Sequence, residues 1–349
     1  MFTSDLTPHV PFGAMSEARA RVFALVALLA AAALAAPAWR AALDAAIGQP
    51  WAGASVGAHA GHRRAPVARA DDDPAAAADV DPIGVYRGLG TWIDIYDSAW
   101  RHPGGAVRAM AARGIRTLYL QTSNSDRGRR FVYRDGVARF LDTAHRAGIR
   151  VVAWYLPGFE KPWLDMRRTL AAVRFRTPSG NAFDGYAADI ESSAVGRVAE
   201  RTRRLLAYSA RLRRAVGPDY PLGAIIPSPI NLEARPSYWP SFPYRELAQT
   251  YDVIMPMTYF TYRVRGRLGA KHYTARNIGI VRQRTGDRRV PIHVIGGIGA
   301  TPAETHGFVT AIRERRPIGA SYYTFPVTPT ADWTPLRAVR AISKRAPSA

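Results

Sequence analysis

From about residue 86 onward the chain alternates between two hydrophobic rhythms. Short runs dense in Val, Ile, Tyr, Trp and Thr occupy 88–96, 116–122, 150–156, 183–191, 221–227, 253–259, 291–296 and 320–325. Bounded by Gly, Pro, Asp or Asn, runs of this length and composition read as strands. Between them, stretches such as 105–113, 136–147 and 195–216 carry apolar residues at helical spacing. Two helical stretches end alike, in Ala112-Arg113-Gly114-Ile115 and Arg146-Ala147-Gly148-Ile149, with glycine where a left-handed C-cap is wanted. Eight strands with intervening helices predict an α/β fold of one kind, a (β/α)8 TIM barrel spanning 83–345. A doubly wound sheet would carry a Gly-rich phosphate turn after its first strand. Asp94-Ile95-Tyr96-Asp97 stands there instead, and Gly296-Gly297-Ile298-Gly299 lacks the dinucleotide spacing.

Upstream of the barrel the rhythm is different. Arg19 and Arg21 precede the apolar run from Val22 to Ala36, which ends in Pro37, Ala38 and Trp39. A basic start, an Ala/Leu/Val centre and small residues at the exit predict a signal peptide or signal anchor over 1–40, with Met1 or Met15 as its start. The run is short for a membrane span, which needs ~20 apolar residues. Cleavage and retention both stay open. Residues 41–82, rich in Ala, Gly, Pro and Asp without apolar periodicity, predict a disordered linker. The expected location is extracellular or in the cell envelope, secreted or anchored to the membrane by the N-terminal segment.

Composition narrows the chemistry. Hydrophobic residues make up 48% and aromatics 10%, enough for a real core. There is no cysteine, which removes disulfides, thiol nucleophiles and thiolate metal sites together. Scattered histidines without a His-x-x-x-His pair argue against a metal, no cofactor is implied, and no Gly-x-Ser-x-Gly elbow is present. The net charge of +21 comes from arginines spread through the helices, with no nucleic-acid-binding signature. Carbohydrate, not nucleic acid, is the expected partner. Oligomeric state is not legible.

The chemistry-bearing segment is Phe183-Asp184-Gly185-Tyr186-Ala187-Ala188-Asp189-Ile190-Glu191. On a strand, Ala187, Asp189 and Glu191 share a face, so two carboxylates meet in the lumen or at its mouth. Such a pair splits its proton affinities, as a glycosidase needs. Neutralisation by barrel arginines is the competing structural reading.

Asp184-Gly185-x-x-x-Asp189-x-Glu191 resembles the Asp-Gly-x-Asp-x-Asp-x-Glu signature on strand four of family 18 glycoside hydrolases, the chitinase-like barrels. The resemblance implies Glu191 as general acid and Asp189 as the carboxylate that orients an N-acetyl group. On the sixth strand Met257-Thr258-Tyr259 is similar to the family's Met-x-Tyr, whose tyrosine touches the same group. Ala187 stands where the signature has its middle Asp, and Phe260 where an Asp usually follows the tyrosine. The chain also resembles a group of actinobacterial exported barrels placed near the glycoside hydrolases.

A second carboxylate is sought among Asp94 and Asp97 after the first strand and Glu160 after the third, with Asp94 preferred as the lone acid in Trp92-Ile93-Asp94-Ile95. Trp92, Trp154, Tyr259 and Tyr323 fall at strand ends where sugar rings can stack, and Gln121, Glu160 and Met257 join them as candidate substrate contacts. His293, inside the seventh strand, reads as a core histidine. Three function classes follow: a glycoside hydrolase, a catalytically inactive chitinase-like barrel that binds glycan, and a basic scaffold for anionic wall polymer.

Overall fold

The computed structural model describes residues 81–125, 131–235 and 237–339. The expected signal or anchor over 1–40, and the linker over 41–82 except for its last two residues, lie outside them. Eight strands follow in chain order: β1 (Gly88–Ile93), β2 (Thr117–Asn124), β3 (Arg150–Leu156), β4 (Gly185–Asp189), β5 (Leu222–Ile226), β6 (Val253–Pro256), β7 (His293–Gly297) and β8 (Gly319–Tyr323). They pair in parallel in the order β6-β5-β4-β3-β2-β1-β8-β7. Bridges Ile254–Ile292 and Met257–Ile295 join β6 to β7, with the Thr258 amide donating to the Ile295 carbonyl at 2.7 Å. The ring closes, and the (β/α)8 barrel read from alternation is the observed fold.

The helices return each chain segment to the start of the next strand. They are α1 (Pro103–Ala112), α2 (Arg134–Arg146), α3 (Pro162–Val173), α4 (Val198–Val216), α5 (Pro229–Ala234), α6 (Tyr244–Thr250), α7 (Gly266–Thr285), α8 (Pro302–Arg315) and α9 (Trp333–Leu336). Proline opens α1, α3 and α8, where its missing N–H costs no intrahelical bond. A capping box starts α8: Thr301 Oγ1 accepts from the Glu304 amide, and the Thr301 amide donates to Glu304 Oε2 at 2.8 Å. The expected C-cap glycines, Gly114 and Gly148, adopt φ of 78° and 67°. No helix among the described residues is long and apolar enough to cross a membrane.

Parallel barrel strands are buried on both faces, so each must be apolar throughout and still sort its side chains. Leu89, Ile93, Leu118, Leu120, Val151 and Ala153 face the helices. Trp92, Tyr119, Val152, Trp154, Ala187 and Ile225 fill the lumen. A column of rings climbs the inside. Tyr86, in the turn Gly84–Tyr86 below β1, seals the floor by donating to the Tyr186 carbonyl at 2.9 Å. Tyr119 stacks above it at 6.3 Å between centroids, and Trp92 on Tyr119 at 4.2 Å. His293 donates through Nδ1 to the Tyr86 carbonyl at 2.7 Å, and burial lowers it to a pKa of about 4. It is a neutral core group.

Two strands, β1 and β6, stop three residues short of the sequence reading. β1 stops at Ile93 because Asp94–Asp97 forms a turn held by side chains: Asp97 Oδ2 accepts from the Asp94 amide at 2.9 Å, and Asp94 Oδ1 from the Tyr96 amide at 2.7 Å. Aspartate side chains compete with the ladder for backbone donors. β6 stops at Pro256, whose ring nitrogen has no hydrogen to give, and Met257 continues only as a bridge.

Candidate active site

The C-terminal end of β4 carries the paired acids. Ala187 packs in the lumen, and Asp189 stands beside Ile225, also a lumen residue, in the β4–β5 register. The period of two directs Asp189 inward; Glu191, expected on the same strand, stands two residues beyond the end of β4, close enough that its charge acts on Asp189 and Tyr259. Asp189 is 6% exposed, and its Oδ1 is buried with no hydrogen-bond partner among the described residues. Burial, then the neighbouring Glu191 charge, pushes the Asp189 carboxyl well above the usual range. Burial raises Glu191 as well. Glu191 is half-buried, and its carbonyl accepts the hydroxyl of Tyr238. Among the described residues, no ion pair involves Asp189, Glu191, Asp94 or Asp97. Acids that lack a counter-ion in a dry site are neutralised by keeping protons.

A second acidic pair lies at the end of β1. Tyr323 of β8 donates to Asp94 Oδ2 at 3.0 Å, and Thr324 donates to Asp97 Oδ1 at 3.1 Å. Burial raises Asp94, and burial with the Asp94 charge pushes Asp97 up to about 7. Asp97 was legible only as a neighbour of Asp94. Its role in building the turn needed the fold.

Four rings cluster at the strand ends that carry the two pairs. Tyr323 lies 5.9 Å from Tyr259, 6.2 Å from Trp92 and 6.4 Å from Trp154, and Trp92 meets Trp154 edge-on at 5.7 Å. Trp92 and Trp154 are buried, so they form the bed of the mouth, while Tyr259 and Tyr323 are half-buried at its sides. Trp92 spends its indole N–H on Ser321 at 2.8 Å. The Trp154 N–H is buried without a partner among the described residues. Burial raises the Tyr259 phenol, and the charges of Glu191, Asp189 and Asp94 add to the effect.

The other named residues divide. Met257 is 8% exposed in the lumen cluster beneath Tyr259. Gln121 is buried with its amide committed: Oε1 accepts from the Ile95 amide at 2.9 Å, and Nε2 donates to the Ser123 carbonyl at 3.2 Å. It holds the β1 turn. Glu160 is exposed beyond β3 and makes no hydrogen bond or ion pair with the acidic pairs. Asp184 sits at the opposite end of β4, where Oδ2 takes the Val151 amide at 2.7 Å and His145 Nε2 at 2.9 Å. Phe260 turns out of the lumen to pack on Phe308 at 5.8 Å. Tyr238, 47 residues from Glu191 in sequence, had no signal at all.

No family model matches the sequence, and no curated protein matches it. Solved structures do. The spore cortex-lytic enzyme SleL of Bacillus cereus aligns with TM-score 0.54 at 8% identity, over 72% of this chain and 74% of that one. The fold they share with this chain is the (β/α)8 barrel. The PgaB (BpsB) glycoside hydrolase domain from Bordetella bronchiseptica aligns with TM-score 0.52 at 15% identity, over 73% and 99%. A class V chitinase mutant from Cycas revoluta, in complex with (GlcNAc)3, aligns with TM-score 0.53 at 10% identity, over 73% and 99%.

Proposed function

We propose that this chain is an exported glycoside hydrolase-like protein that acts on a polysaccharide or cell-envelope glycan, with Glu191 as acid/base and Asp189 as its modulator. The observation that carries the reading is the bare Asp189 Oδ1 beside Glu191, in a ring-lined mouth without a neutralising cation. A buried acceptor left unpaired costs about 1–3 kcal/mol. On the neighbouring strand the unpaired Trp154 N–H is its donor counterpart. A sugar bearing both a donor and an acceptor would relieve the two. Glycan-acting proteins share the barrel, among them one that holds (GlcNAc)3.

In this reading Glu191, held protonated by burial, hands its proton to the glycosidic oxygen as the bond to C1 breaks. Asp189, whose carboxyl burial and the Glu191 charge keep protonated, donates its O–H to the Glu191 carboxylate that the transfer leaves behind. Asp94, fixed by Tyr323, keeps a second lone pair on each oxygen for a water or hydroxyl. Water adds to C1 and returns a proton to a carboxylate. Trp92, Trp154, Tyr259 and Tyr323 offer faces to the ring. A second reading, a catalytically silent glycan-binding barrel, is favoured by one feature: the Ala187 methyl leaves Asp189 without a third acid to exchange its proton.

The full chain is assayed for product release on a broad glycan panel, with Glu191→Gln alongside. The expected result is a roughly 100- to 10,000-fold loss of product with glycan retention unchanged. Wild-type retention of glycan with no product from any of them would give the site to the silent reading, and no retention at all would end both.

A further inference from the structure

The barrel end opposite the mouth holds a positive charge that the described residues do not neutralise. α7 and α8 both finish there, on the way to β7 and β8. Six arginines crowd these two finishes: Arg282, Arg288, Arg289, Arg313, Arg315 and Arg316. Arg282 donates to the Arg315 carbonyl at 2.8 Å, so the two junctions form one surface. Five of the six are exposed, and Arg282 is half-buried with its Nε lacking a partner among the described residues.

The nearby acids are already engaged. Glu314 pairs with Lys271 at 2.7 Å, and Glu233 takes Arg284 at 2.9 Å. Asp287 turns Oδ1 to the Arg289 amide at 2.7 Å. None of the six arginines forms an ion pair among the described residues. Each helix end offers about half a negative charge, so two ends offset roughly one arginine of the six. Burial lowers Arg282, Arg315 and Arg288 lower it further, and Asp287 opposes them.

A second observation concerns where the chain arrives. Residues 81–87 lead into β1 at this same end, and the Gly88 amide donates to the Ile318 carbonyl at 3.0 Å, two residues beyond Arg316. The upstream sequence, with its apolar run from Val22 to Ala36, is therefore joined to the barrel beside the arginines. The opposite end carries Asp94, Asp97, Asp189 and Glu191 with no ion-pair partner among the described residues.

We propose that the arginine face at the ends of α7 and α8 is a docking surface for an anionic lipid bilayer, on which the barrel stands with its mouth directed away. Basic side chains near such a surface are each attracted to it, and the attraction fades within a screening length. A tether entering on the same face keeps those arginines close to the headgroups. The mouth then looks outward, toward glycan beyond the lipid.

The test is vesicle co-sedimentation of the full chain. Vesicles are phosphatidylcholine alone, or phosphatidylcholine with about one-third phosphatidylglycerol. A quadruple reversal, Arg288→Glu, Arg289→Glu, Arg315→Glu and Arg316→Glu, is compared with one at the mouth end: Arg101→Glu, Lys161→Glu, Arg197→Glu and Arg263→Glu. The wild type is expected to favour the anionic vesicles by at least ~10-fold, with the preference lost at ~1 M salt. The floor reversal should erase that preference and the mouth reversal keep it. All eight positions are exposed, and Arg→Gln changes at the four floor positions, read with thermal melts, separate lost charge from lost fold. Equal binding of the wild type to both vesicles, or an undiminished preference after the floor reversal, overturns the proposal. So does retention on immobilised polyphosphate without any vesicle preference, which would assign the face to a polymer.

Discussion

The Tyr323 hydroxyl donates to Asp94 Oδ2 at 3.0 Å, tying the end of β8 to the end of β1. The phenol spends its one proton on the acid, so what it presents to the mouth is an oxygen lone pair and a ring face. Asp94 in turn is held on both oxygens, by Tyr323 and by the Tyr96 amide. Neither group can turn without breaking a bond to the other.

Removing that hydroxyl tests the tie. Tyr323→Phe keeps the ring and takes away a hydrogen bond that lowers the Asp94 carboxyl. Asp94 should then titrate higher, and the acidic limb of the rate profile on a cleaved glycan should move to higher pH. A loss of ~1 kcal/mol in urea unfolding is expected alongside. A profile that stays in place would remove Asp94 from the chemistry.

Asp97 makes a separate claim about pH. Its folded carboxyl lies at about 7, against 3.8 for the unconstrained group, so the charged form is disfavoured by folding. The penalty is absent below about pH 4 and complete above about pH 7. Asp97→Asn is expected to raise the thermal midpoint relative to wild type at pH 8 and to leave it nearly unchanged at pH 4. Paired melts across that range decide it.

His145 has the opposite sign. It meets Asp184 at 2.9 Å and Asn181 at 3.0 Å, and the Asp184 bond foremost raises the imidazole above 6.5. Its stabilising charge is fully present below the unfolded value and is lost as pH rises through the folded one. His145→Ala should lower the midpoint more at pH 6 than at pH 9. An equal loss at both would mean that packing, not charge, is what the residue supplies.

Gly319 carries a steric prediction. A Cβ there would strike the Tyr86 carbonyl, and would stand 2.6 Å from His293 Nδ1 and 2.7 Å from the Gly88 carbonyl. Two of those neighbours are backbone and cannot swing aside. Gly319→Ala is expected to cost ~3 kcal/mol or more and to reduce the yield of soluble protein sharply, read by unfolding midpoint.

The paired acids of β4 were legible because two carboxylates at period two inside an apolar run are expensive to keep without purpose. Trp92, Trp154, Tyr259 and Tyr323 were legible as strand-end rings, and the structure brings all four into one cluster. Gln121 looked equally available, yet both ends of its amide are taken by backbone groups, one of them 26 residues away. The sequence pattern of a satisfied amide and a free one is the same.

Alternation and breaker residues were enough to settle the barrel, because strand and helix periods are local properties and eight repeats of one unit leave little choice of closure. Which acids would go without a partner was not local. Asp184, just before β4, and Asp189, at its end, lie five residues apart, but one is bonded to His145 at one end of the barrel and the other keeps an Oδ1 without a hydrogen-bond partner among the described residues at the other. The same holds for the arginines, which form two clusters in sequence, at 282–289 and 313–316, and become one face only when α7 and α8 finish side by side. Charge acts across space, and distances in space are set by the packed molecule rather than by the order of its residues.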